Sequence, residues 1–215
     1  VKSRIRVLVA DDHTIVRQGL VEILRRAESI EIVGEAGDGH GAVEQTIASR
    51  PDVIVLDIGM PRLNGLEAAR RIRRALPDAR ILVLTMHEDD EYVLNMVRAG
   101  VAGYLVKDGA ASELLAAISA LHAGRTYFGE QAAKAIESIH TANRPLPEDP
   151  YGGLTDRERE IFQLIVEGCT NADIARRLFI SPKTVDNHRT HLMAKLGIHS
   201  TAGLLRYASR HGLLV

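Results

Sequence analysis

At 215 residues the chain is long for one domain and comfortable for two, and its 46% apolar and 26% charged residues are ordinary globular composition. No apolar run approaches the roughly 20 residues of a membrane-spanning helix, no signal peptide is visible, and the single Cys169 excludes an internal disulfide, as suits a cytoplasmic protein. The net charge of −1 conceals an asymmetry: residues 1–153 carry 18 Lys+Arg against 22 Asp+Glu, whereas residues 154–215 carry 9 against 6.

Val7-Leu8-Val9-Ala10 reads as a strand buried on both faces, and it ends in Asp11-Asp12-His13. The next pattern predicts an amphipathic helix with Ile15, Val16, Leu20, Ile23 and Leu24 inward and Arg17, Arg25 and Arg26 outward. A short strand over 30–33 and a helix over 40–49 follow. Four aliphatics, Val53 to Leu56, make a second run buried on both faces, and it stops at Asp57. Met60-Pro61 and Asn64-Gly65 supply turn chemistry before a helix over 66–76, closed by Pro77. Residues 81–84 form a third buried strand ending in Thr85, and a helix over 89–98 stops at Gly100, expected to be left-handed. A strand over 102–106 ends in Lys107, and a helix over 112–122 completes the unit. Five strands alternating with five helices predict a doubly wound α/β fold with a five-stranded parallel sheet.

Asp11 and Asp12, Asp57, Thr85 and Lys107 all fall at carboxyl ends of these strands. Singly, a strand-end Asp caps a turn, a Thr fills a strand and a Lys is solvated surface. With strand order 2-1-3-4-5 the four ends converge on one crevice. Three carboxylates in one pocket repel unless a cation sits among them, and hard oxygen donors with room for water suit Mg²⁺. Lys107 is then the point charge for a phosphoryl group, and Thr85 its neutral donor.

On these residues and spacings, 4 to about 123 resemble the receiver domain of two-component response regulators, a flavodoxin-like fold. The resemblance implies that Asp57 is the phosphoacceptor, charged by a partner sensor histidine kinase through an acyl phosphate. It assigns Asp12, Asp57 and the backbone carbonyl of Gly59 to Mg²⁺, and Asp11 to a contact through water. Thr85 and Lys107 would hold the phosphoryl oxygens, and Tyr104 would be the aromatic whose rotation accompanies activation. Gly59 and His87 border the pocket and would influence phosphoryl lifetime.

Beyond a helical pattern over 130–139, the stretch with Pro145, Pro147, Pro150, Gly152 and Gly153 has no apolar period and reads as a linker. The expected organisation is a receiver over 1–123, a linker with room for one helix over 124–153, and a small all-α domain over 154–215. Thr155 to Glu158 is a capping box, and Ile161, Phe162, Leu164 and Ile165 give its helix an apolar face. Thr170 caps a second helix, Phe179-Ile180-Ser181 makes a tight turn, and Ser181-Pro182 opens a longer helix that runs to Gly197. Ser200 opens the last. Two helices joined by so short a turn, the second longer and polar, fit a helix-turn-helix.

Leu154 to Leu205 resembles the LuxR-type DNA-binding domain, through Leu154-Thr-Asp-Arg-Glu, Asn171-Ala-Asp-Ile-Ala, Ser181-Pro-Lys-Thr-Val-Asp-Asn-His and Lys195-Leu-Gly-Ile. Together the two resemblances identify a NarL/FixJ-class response regulator, a transcription factor whose double-stranded DNA binding is switched at Asp57 and whose only catalysis is its own phosphoryl transfer and dephosphorylation. Arg176 to Lys195 holds five Lys+Arg and one acid, which suits phosphates. By resemblance Asp186, Asn187 and Thr190 read base edges and Lys183, Thr184 and Arg189 meet phosphates; relatives often carry a lysine where Asp186 stands. A homodimer on neighbouring half-sites is expected, and Leu204, Leu205 and Tyr207 form either its interface or the domain's own core. Two rivals fare worse. A haloacid-dehalogenase-like phosphatase needs a second acid where Gly59 stands, and a pseudo-receiver would lack a pocket residue. The nine histidines show no metal-ligand spacing.

Overall fold

Among the described residues, strand alternates with helix through the first unit, residues 1–142, and helices build the second, residues 143–215. The computed structural model describes residues 4–86, 90–107, 111–141, 150–210 and 213. In chain order the first unit contains β1 (Ile5–Ala10), α1 (Thr14–Arg25), β2 (Ile30–Ala36), α2 (Gly39–Ser49), β3 (Val53–Leu56), α3 (Gly65–Ala75), β4 (Arg80–Thr85), α4 (Asp90–Arg98), β5 (Gly103–Val106), α5 (Ala111–His122), β6 (Tyr127–Phe128) and α6 (Glu130–Thr141). The sheet is parallel, in the order β2-β1-β3-β4-β5-β6.

The sheet has six strands, one more than the five expected. Tyr127 N donates to Ala102 O and Gly129 N to Tyr104 O, both at 3.0 Å, which pairs β6 with β5. A two-residue strand has no room to show an alternating pattern, so only the open edge of β5 reveals it.

The core follows from the period of two along each strand. Val7, Val9, Val53, Val55, Leu82 and Leu84 face Val21 and Leu24 of α1 and Leu114, Ala117, Ile118 and Leu121 of α5. Leu8, Ile54, Leu56, Ile81 and Val83 turn to the other face and are equally buried. On α1 Leu20 and Leu24 pack against the core as expected, together with Val21, but Arg17, expected outward, is half-buried and Ile15, expected inward, is 86% exposed. Arg17 takes the inward place because the helix begins at the sheet's carboxyl edge, where its Nη1 donates to Asp11 O at 2.5 Å.

The second unit contains α7 (Asp156–Val166), α8 (Asn171–Leu178), α9 (Pro182–Leu196) and α10 (Thr201–Arg210). Thr155 with Glu158 and Thr170 with Asp173 form capping boxes, and Ser181 accepts from Thr184 N ahead of Pro182. Gly168 (φ 81°) and Gly197 (φ 65°) end α7 and α9 in the left-handed region. Ile161, Phe162, Ile174, Val185, Leu192 and Leu204 close the core. No helix among the described residues is long and apolar enough to cross a membrane.

Candidate functional site

The sheet register places the sequence's polar strand ends side by side. Ala10 pairs with Leu56, Leu56 with Val83, and Thr85 with Val106, so Asp11, Asp57, Thr85 and Lys107 fall at or just beyond the last paired positions of the carboxyl edge. Asp57 N donates to Ala10 O at 2.9 Å and Lys107 N to Thr85 O at 2.7 Å, which fixes the crevice between neighbouring strands. Two glycines let the loop beyond Asp57 close. A Cβ on Gly65 would sit 2.1 Å from Asp57 O, and one on Gly39 would sit 2.0 Å from Leu63 O. The Arg62 guanidinium pairs with Asp38, holding this loop against the start of α2.

Within the crevice Lys107 Nζ lies 2.7 Å from Asp11 Oδ2 and 3.0 Å from Asp57 Oδ2. Asp11 Oδ1 accepts from His13 N and Asp57 Oδ1 from Ile58 N, each at 2.9 Å. Asp11, Asp57 and Thr85 are buried, and Asp12 is partly open. Burial pushes the Asp57 carboxyl above its ordinary pKa; Lys107 opposes this and the neighbouring Asp11 adds to it. Burial also works against the charged form of Lys107, but its bonds to Asp11 and Asp57 prevail and raise its pKa.

Asp11, Asp12, His13 and Asp57 each present one ligand atom, all within 4.8 Å of one another. Three carboxylates beside a single lysine leave an excess of negative charge, and hard oxygens gathered this closely fit a divalent cation of the Mg²⁺ kind. A Cβ on Gly59 would lie 3.9 Å from Asp57 Oδ2, so nothing of residue 59 but backbone adjoins that oxygen. Tyr104 is 2% exposed within β5. His87 lies outside the described residues. Two contributors escaped the sequence reading. His13 Nδ1 lies 2.9 Å from Asp12 Oδ1, and its place directly after Asp11-Asp12 was the available signal. Arg17 was masked by its position among apolar neighbours.

In the second unit, Lys183, Asp186, Asn187 and Thr190 are exposed on α9, opposite buried Val185 and Leu192. Thr184 is half-buried, its Oγ1 2.8 Å from Ser181 Oγ. Arg189 is engaged with protein: its guanidinium donates to Asn171 Oδ1 at 2.6 Å and Thr201 Oγ1 at 3.0 Å, tying α9 to the starts of α8 and α10. Of the three residues considered for a dimer interface, Leu204 is fully buried and Tyr207 stacks edge-on against Phe162 at 6.1 Å. Those two serve the unit's own core, because α10 packs on α7; Leu205 is 39% exposed.

Comparison with known proteins agrees in both units. Residues 7–119 match the response regulator receiver domain, and residues 153–208 match the luxR family of bacterial regulatory proteins. The oxygen regulatory protein NreC of Staphylococcus epidermidis is 37% identical, over 97% of this chain and 99% of its own. The DNA-binding transcriptional activator DevR/DosR of Mycobacterium tuberculosis is 41% identical, over 90% of this chain and 89% of its own. Among solved structures, RcsB of Salmonella enterica serovar Typhimurium, bound to promoter rprA in the presence of the phosphomimetic BeF3−, is 27% identical with a TM-score of 0.60, covering 96% of this chain and 99% of that one. The chain therefore belongs to the response regulators that join a receiver domain to a LuxR-type DNA-binding domain.

Proposed function

We propose that this chain is a cytoplasmic transcription regulator whose receiver, residues 1–123, accepts a phosphoryl group on Asp57 from a sensor histidine kinase and so controls duplex DNA binding by residues 154–215, with 124–153, which opens with β6 and α6 of the first unit, leading from one to the other. The observation that carries this reading is the Lys107 ammonium held between Asp11 and Asp57, at 2.7 and 3.0 Å. An Asp57 carboxylate oxygen attacks phosphorus, the P–N bond to the kinase imidazole breaks, and an acyl phosphate remains. Mg²⁺, held by Asp12, Asp57, the Gly59 carbonyl and, through water, Asp11, would neutralise the oxygens that crowd together in this step. Lys107 stays on the new phosphoryl group as its counter-ion, and the Thr85 hydroxyl donates to it. The added charge draws Thr85 inward and Tyr104 rotates into the space released. The same pocket returns the group to water, its only other chemistry.

On α9 the exposed Asp186, Asn187 and Thr190 read base edges while Lys183, Thr184 and Arg189 meet phosphates. Arg189 keeps its bonds to Asn171 and Thr201 and offers phosphate its remaining donors. A homodimer places two such helices on neighbouring half-sites. The test is labelling by acetyl phosphate with Mg²⁺, followed by duplex binding. Labelling abolished by Asp57→Ala, with duplex affinity raised only in the labelled parent, supports the reading; undiminished labelling of the variant removes it.

A further inference from the structure

The turn between α8 and α9 carries a side chain that the fold itself does not use. Phe179 is the C-cap of α8 at φ 54° and ψ 42°, and it is 95% exposed. Left-handed backbone strains any residue with a Cβ, most of all a bulky one. The turn needs that conformation, since Ile180 N closes it by donating to Ala175 O at 3.0 Å. It has no need of a phenyl ring. The equivalent exits from α7 and α9 use Gly168 and Gly197, which adopt positive φ without strain. At position 179 the chain therefore carries both a strained backbone and a large apolar group in water.

The surroundings say what the ring is for. Phe179 stands two residues before Ser181, the N-cap of α9, whose first turn carries the exposed Lys183. Behind it lie Arg176 and Arg177, 80% and 55% exposed and ion-paired to Asp173 and Glu167. No acid occurs from Arg176 through Lys183. An apolar tip flanked along the chain by cations matches a sugar-phosphate backbone, where cations meet phosphates and the ring meets the C–H face of a sugar.

We propose that Phe179 is a DNA-contact residue, its ring lying on a deoxyribose beside the groove that receives the start of α9 and so setting the depth of that helix. This rests on the DNA-binding reading above. The contact is to backbone, so a duplex of random sequence reports it. The full chain, treated with acetyl phosphate and Mg²⁺, is titrated with that duplex as parent, Phe179→Asn, Phe179→Gly and Phe179→Tyr, and each is also melted without DNA.

Relief of strain raises the melting temperature of Phe179→Asn by about 2–4 °C. Loss of the ring weakens duplex binding of the Asn and Gly variants roughly tenfold, while Phe179→Tyr stays within about twofold of the parent. Opposite signs in stability and affinity are the signature of a side chain kept for binding. Unchanged duplex affinity in Phe179→Asn overturns the proposal, also where transcription with RNA polymerase or self-association falls, since the ring then meets a protein. A lower melting temperature for Phe179→Asn overturns it too, because the strain would be absent. A parent that binds no duplex at all brings down the DNA-binding reading itself, a result read without any variant.

Discussion

In metal-free buffer, replacing Asp57 by Asn is expected to stabilise the first unit even though it deletes the ion pair with Lys107. Ligand oxygens of Asp11 and Asp12 lie within 4.8 Å of that of Asp57, and Lys107 Nζ lies at 3.0 Å. At an effective dielectric of about 20, each like-charge contact at the outer distance costs about 3.5 kcal/mol, and the lysine contact returns about 5.5 kcal/mol. The two repulsions exceed the attraction by about 1–2 kcal/mol, and desolvation adds to the same side because Asp57 is 5% exposed. The raised pKa of Asp57, due first to burial, has the same sign. A carboxyl raised on folding contributes its full stability below about pH 4, and that stability is lost as pH rises through the folded value. Above that folded value the parent therefore carries the penalty, which the amide removes. The expected gain is about 2 kcal/mol, or about 4–8 °C in the calorimetric transition of the first unit in EDTA. Saturating Mg²⁺ reverses the ranking, adding about 2.7 kcal/mol to the parent at a hundredfold excess over Kd and less to a variant short of one ligand. An Asn variant that melts at or below the parent in EDTA would refute the reasoning, because the lysine pair would then outweigh the crowded acids.

Lys107→Met leaves the buried Asp11 and Asp57 without their counter-ion; it is expected to lose about 3 kcal/mol in EDTA and to regain more than the parent when Mg²⁺ is added, and an equal loss with and without the ion would contradict this. Gly65→Ala sets a Cβ 2.1 Å from Asp57 O and 2.7 Å from Ile58 Cα, both backbone; urea unfolding should register a loss of about 2–3 kcal/mol and acetyl phosphate labelling should slow. In the second unit the Glu158 carboxyl is held below its ordinary pKa, since burial is outweighed by Lys195 at 2.7 Å and by Thr155. Its stabilisation is present above about pH 4.3 and lost as pH falls through the folded value, so Lys195→Met should cost about 1 kcal/mol at neutral pH, with the gap closing in acid.

What could be read from residues alone was whatever a local rule fixes. Strands buried on both faces must be uniformly apolar, so the first polar residue after each run marks the sheet edge, and Asp11, Asp57, Thr85 and Lys107 were visible for that reason. Helix starts were equally plain, since Thr155 with Glu158 and Ser181 with Pro182 satisfy end groups within a few residues of chain. Failures arose where the deciding partner is distant. Ile15 joined an apolar helical pattern, yet it is exposed while Leu20, Val21 and Leu24 meet the core, and Arg17 is half-buried because its partner is the Asp11 carbonyl beyond β1. His13 matched no histidine spacing because its companions are carboxylates, one of them on another strand. Leu204 and Tyr207 are indistinguishable by sequence from an interface until α7 is seen beneath them.

The sixth strand carries this furthest, because its existence constrains the proposed switch. Along Gly103 and Tyr104, β5 is paired with Leu82 and Val83 on one side and with Tyr127 and Phe128 on the other. A strand bonded along both edges cannot slide or tilt without giving up backbone hydrogen bonds on two sides, including Gly129 N to Tyr104 O at 3.0 Å. Each such bond left unmade inside the protein costs about 1–3 kcal/mol, comparable with the coupling of a typical two-site switch, about 1–3 kcal/mol. Motion of the strand would therefore consume what phosphorylation supplies. Rotation of the Tyr104 side chain breaks none of these bonds. The switch proposed at Tyr104 would for that reason be a rotamer change on a fixed backbone, with Lys107, three residues further along, still within reach of Asp57.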